Sequence, residues 1–128
     1  MKALTALIAS LCIALPHGSA IAHGDHKPTH GGDIGRGSDE IVVEFVMESG
    51  TLKLYVTDDS GKPLDTQKLQ GTLSVIPAQG PAQHVSLTRA GPHQLAAPGA
   101  TPKRGDRLRA VIRLPSGEQF ESVTLFSR

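Results

Sequence analysis

The chain predicts a small all-β domain, and three observations carry that expectation. Apolar residues recur at every second position in short runs, among them Ile41, Val43, Phe45 and Met47, then Leu108, Ala110, Ile112 and Leu114. Turn-forming clusters of Gly, Pro, Asp and Ser separate the runs roughly every 8–12 residues. Beyond residue 22 no window keeps apolar residues at helical spacing for about three turns, so no segment can serve as the crossover helix of a parallel sheet. The pattern fits an antiparallel sandwich or barrel, and an immunoglobulin-like β-sandwich of about seven strands, spanning residues 39–128, is the architecture expected.

The first 38 residues differ from the rest. Lys2 is followed by an apolar run over residues 3–15, too short to span a bilayer, which takes about 20 residues. Pro16, Gly18 and the triplet Ala20-Ile21-Ala22 then match the small-residue pattern of a signal-peptidase site. Residues 1–22 read as a cleaved secretory signal, which makes the protein exported and periplasmic and leaves no stable membrane insertion after cleavage. The single cysteine, Cys12, lies in that run behind Leu11, where a lipoprotein signal would carry a small residue. Residues 23–38 hold Gly, His, Asp, Pro and Thr with Ile34 as the apolar exception, a composition that predicts a flexible His- and Gly-rich arm.

The strands follow in order. Residues 41–47 alternate Ile, Val and Phe with Val42, Glu44 and Val46, and Glu48-Ser49-Gly50 turns them into a second strand carrying Leu52, Leu54 and Val56. Residues 58–63, Asp-Asp-Ser-Gly-Lys-Pro, form a dense turn signal, because Asp and Ser side chains bond nearby backbone and Gly accepts positive φ. Leu69, Leu73 and Val75 mark the third strand, Val85 and Leu87 the fourth, and residues 93–96 a weak fifth. A Pro- and Gly-rich loop over 97–105 precedes the strand of Leu108 to Leu114. The turn Pro115-Ser116-Gly117-Glu118 and a closing strand over 120–126 complete the domain.

Composition removes several function classes. Without Lys2 the basic residues equal the 12 acidic ones, which gives no support for nucleic acid as a partner. No Trp, one Tyr and three Phe leave no stacking platform for bases. No cysteine remains after residue 22, so neither a disulfide framework nor a thiolate metal site is available. The chain has no G-x-S-x-G elbow, H-E-x-x-H pair or glycine-rich phosphate loop set between strand and helix, and a non-enzymatic protein is expected.

What remains is a cluster of nitrogen donors. Cleavage after Ala22 would give His23 a free α-amine beside its imidazole, with Asp25, His26 and His30 following as further ligands. Such a set suits Cu(II), Ni(II) and Zn(II), copper first by the general affinity order. Cleavage one residue later would start the chain Gly-Asp-His, which also binds Cu(II) and Ni(II) through amine, amides and the His26 imidazole. His84 and His93, each in or beside a strand, are further candidates to complete a site, and a two-histidine copper enzyme would need one of them near the chain start. The exposed row of Arg104, Arg107, Arg109 and Arg113 reads either as a solvated outer face or as a stripe for an acidic partner.

The order of Thr29-His30-Gly31-Gly32, a short acidic linker, the strand of Ile41 to Met47, then Leu-Lys-Leu-Tyr-Val-Thr-Asp at 52–58 and Gly61-Lys62-Pro63 has a counterpart. With the Leu-Pro-Ser-Gly-Glu hairpin at 114–118, it resembles the small β domain near the N terminus of periplasmic adaptor proteins of heavy-metal efflux pumps, and small exported proteins like that domain. The resemblance spans most of residues 29–126 and implies a periplasmic β-sandwich linked to transition-metal resistance, with an efflux-system component as possible partner. Only His30 sits in a matching motif. The adaptors' helical hairpin, lipoyl-like and barrel regions have no counterpart here, so pump assembly does not follow. The expected function is therefore a periplasmic transition-metal binding protein for buffering, delivery or resistance, with His23, Asp25, His26 and His30 as ligands. The alternative is an envelope protein-protein interaction module whose histidines are incidental.

Overall fold

The computed structural model describes residues 26–128, and the expected signal segment with His23 and Asp25 lies outside them. Among the described residues nine strands form: β1 (Asp33–Ile34), β2 (Ile41–Glu48), β3 (Thr51–Asp58), β4 (Gln70–Ile76), β5 (Gln83–Ser86), β6 (Thr88–Gly91), β7 (Gln94–Ala97), β8 (Arg107–Arg113) and β9 (Gln119–Leu125). They make two antiparallel sheets, ordered β1-β2-β3-β7-β6 and β5-β4-β8-β9. This is the expected β-sandwich. Among the described residues no helix is long and apolar enough to cross a membrane.

The two-residue period explains the core. Ile41, Val43 and Phe45 of β2, Leu52, Leu54 and Val56 of β3, and Leu95 and Ala97 of β7 point to one side of the first sheet. They meet Leu73 and Val75 of β4 and Leu108, Ala110 and Ile112 of β8 from the second, closed below by Phe126. The turns match their residues. Ser49 and Gly50, at φ 50° and 78°, form the two-residue connection of β2 to β3, whose double positive φ matches the twist of the paired strands. Asp58 Oδ1 accepts from the Ser60 and Lys62 backbone N–H groups at 3.0 and 2.8 Å, holding the turn after β3.

Among the described residues nine strands arise where about seven were expected, because one expected strand is divided between the sheets and a short one is added ahead of β2. The single strand expected around Val85 and Leu87 divides at Leu87, β5 joining β4 and β6 joining β7. At the opposite edge, Gly35 N–H donates to Val43 O, and the next residue, Arg36, exchanges two 2.8 Å backbone hydrogen bonds with Val123 of β9. Both sandwich edges are thereby partly covered, which protects them from pairing with other chains.

The same crossing corrects the expected arm. Residues 29–36 are held against the sheet rather than flexible, although they contain almost nothing apolar. Their backbone groups are satisfied by the β1–β2 ladder, by Val43 and Val123, and by one buried carboxylate, so hydrogen bonding orders them where apolar burial cannot. The segment also changes the character of β2. Val42, Glu44 and Val46, which alternate with the core residues of β2, are buried as well, so β2 is enclosed on both faces.

Candidate functional site

Glu44 sits mid-strand on the outer face of β2 and is 5 % exposed. A carboxylate in that position needs donors, because burial of an unpaired charge is costly. Residues 29–32 supply them. Glu44 Oε1 accepts from the backbone N–H of His30 at 2.8 Å and of Gly32 at 2.9 Å. Oε2 accepts from Thr29 N–H at 3.1 Å and Thr29 Oγ1 at 3.2 Å, and lies 3.0 Å from His30 Nδ1. Burial pushes the Glu44 carboxyl upward, but the bonds from Gly32 N–H, the His30 ring, and the His30 and Thr29 N–H groups outweigh it and hold the group below its ordinary value. Glu44 is therefore an ionised clamp on the root of the N-terminal segment.

Gly32 is required by this approach. A Cβ there would lie 2.3 Å from Phe45 O and 2.7 Å from Val46 Cγ2. The chain passes so close to β2 that only hydrogen fits.

His30 is fixed from a second direction. Tyr55 of β3 stands opposite Glu44 in the β2–β3 register, and its ring stacks on the imidazole with centroids 3.6 Å apart and planes 13° from parallel. The Tyr55 hydroxyl donates to Glu48 Oε1, and Lys53 Nζ lies 3.2 Å from Glu48 Oε2. The hydrogen bond to Glu48, with burial and the Glu48 charge, pushes the phenol up to about 12. One edge of the His30 ring thus faces a carboxylate and one face lies on an aromatic ring, while 42 % of the side chain remains exposed. His30 and His26 line a shared concavity of about 90 Å³, with Lys27, Thr29, Glu44 and Tyr55 among its walls.

The chemistry available follows from these contacts. An ionised carboxylate only accepts, so the ring nitrogen that bonds it has to carry a proton, and an imidazole with its one N–H there keeps its lone pair at Nε2. That is the arrangement in which histidine ligates metals, one nitrogen oriented by an outer carboxylate and the other presented to the ion. It is not a hydrolytic relay. The nearest hydroxyl, Thr29 Oγ1, lies 3.0 Å from Nδ1, the same nitrogen that meets Glu44, whereas a nucleophile and its orienting acid must engage opposite nitrogens.

Of the four ligands expected from sequence, His26 and His30 line the same concavity, and His23 and Asp25 lie outside the described residues. Among the described residues no group of three or more His, Cys, Asp and Glu is arranged to hold an ion. His84 bonds Ser74 Oγ on the outer face of β5 and β4, His93 bonds Leu64 O in the β6–β7 turn, and neither lines the concavity. Arg107, Arg109 and Arg113 are exposed on the outer face of β8, where Arg109 pairs with Glu121 of β9 at 2.8 Å. Glu44 and Tyr55 were missed as site residues. The signal for Glu44 was present, a lone charge inside the run Ile-Val-Val-Glu-Phe-Val. Tyr55 left no such mark. No protein family, curated protein or solved structure matches the chain.

Proposed function

We propose that this is a periplasmic, non-enzymatic protein that binds a divalent transition metal, copper first and zinc or nickel next, for buffering, delivery or resistance. The observation that carries the reading is the pairing of His26 and His30 in one concavity at the root of the segment that also bears His23 and Asp25. A rooted imidazole lowers the entropy lost on coordination, because a ring already oriented spares the roughly 1–2 kcal/mol that ordering a residue costs. The absence of cysteine after residue 22 directs the site toward nitrogen- and oxygen-preferring ions. The motif resemblance around Thr29-His30-Gly31-Gly32 points in the same direction and suggests an efflux component as the partner that receives or supplies the ion.

Titration of the exported protein with Cu(II) and with Zn(II), followed by calorimetry, tests the reading against a variant carrying alanine at positions 23, 26 and 30. At least a tenfold loss of affinity is expected in the variant. Equal affinities in the two proteins would remove the histidine cluster from any metal role and leave the interaction-module alternative.

A further inference from the structure

Resting on the metal-binding reading above, we propose that Glu44 is the positioning residue of the site: it pins Nδ1–H of His30 so that a divalent transition ion binds through Nε2. Glu44 is 5 % exposed and takes five close contacts from residues 29–32, including Nδ1 at 3.0 Å, so the carboxylate has no freedom to turn toward an incoming ion. Thr29 Oγ1 spends its hydrogen on Glu44 Oε2 and is left as an acceptor at 3.0 Å from Nδ1, which favours the same protonation of the ring. The Tyr55 stack removes the remaining freedom, since a single hydrogen bond along one ring edge would still let the imidazole tilt. Nε2 takes no part in the hydrogen bonds of the ring among the described residues, and the His30 side chain, 42 % exposed, lines the concavity with His26. Bound this way, the ion stays one imidazole away from the carboxylate, whose charge raises the basicity of the ligand nitrogen without joining the coordination sphere.

The substitution Glu44→Gln isolates this role. Its amide oxygen can still accept from the His30 and Gly32 N–H groups, which keeps those two residues docked while Thr29 N–H loses its acceptor. Its NH2, however, donates toward Nδ1, which moves the ring proton to Nε2 and blocks the metal nitrogen. Two measurements follow. In the metal-free protein, 15N-edited NMR of the imidazole is expected to show His30 protonated at Nδ1 in the wild type and at Nε2 in E44Q. Zn(II) and Cu(II) affinities are expected to fall about 10–100-fold in E44Q, the range typical of losing an outer-sphere partner. The wild-type tautomer needs no variant, so the inference stays exposed should E44Q fold poorly. An Nε2-protonated wild-type ring, or an E44Q affinity within twofold of wild type, overturns the positioning role while metal binding by the histidines stands. A wild-type protein that binds neither ion overturns both.

Discussion

Replacing Gly32 with alanine tests whether residues 29–32 are truly locked to β2. The added methyl would lie 2.3 Å from Phe45 O and 2.9 Å from Phe45 C, both backbone atoms of a strand paired on its other side with β3. β2 cannot yield, so the N-terminal segment has to retreat by about 1 Å to reach ordinary contact. That retreat carries the 2.9 Å bond from Gly32 N–H to Glu44 beyond hydrogen-bonding range and strains the neighbouring 2.8 Å bond from His30 N–H. A hydrogen bond to a charged group contributes about 1.5–3 kcal/mol, and the loosened carboxylate regains some water, so a net loss of roughly 2–3 kcal/mol is expected. Denaturant titration measures it, with a fall in the midpoint at unchanged slope. Amide exchange of His30 and Gly32 supplies the local readout and should accelerate by a larger factor than in the core strands. Gly91→Ala is the control, since its Cβ would meet only the Gln94 side chain at 3.7 Å. A Gly32→Ala protein within about 0.5 kcal/mol of wild type, with both amides still protected, would refute the clamp.

Tyr55 is the chain's one tyrosine and there is no tryptophan, so its phenolate absorbance can be followed without interference. It is expected to titrate near 12, above the ordinary 10.0, and Glu48→Gln is expected to bring it down. Because the folded value is raised, the stability it contributes is complete below about pH 10 and is lost as pH climbs through 12; a wild-type midpoint at 10 would remove the Glu48 contact. Leu54→Ala, at a fully buried position between Phe45 and Leu95, should cost about 2–5 kcal/mol in the same denaturant assay. A loss under about 1 kcal/mol there would mean that the two sheets do not pack as described.

The strands with strict alternation were legible because burial on one face leaves a direct record in the sequence. Ile41 to Glu48, Thr51 to Asp58 and Arg107 to Arg113 all appear close to their expected limits, joined by turns whose Gly, Asp and Ser residues announce them. The site was only half legible. His26 and His30 stand out by residue type, whereas Glu44 reads as one more outward polar residue until the segment that covers it is in place. The arm misled for a related reason, since composition records the ability to bury apolar surface and is silent on how many backbone N–H groups one carboxylate can satisfy.

By itself the sequence determined an antiparallel β-sandwich and a histidine-bearing segment ahead of it, because both are written in local pattern and residue type. Only the tertiary structure decided that residues 29–36 cross from β2 to β9, that Glu44 closes over them, and that His30 lies between that carboxylate and Tyr55. Those outcomes depend on contacts between residues distant in the chain, such as His30 with Glu44 and Arg36 with Val123, for which no local period exists to be read.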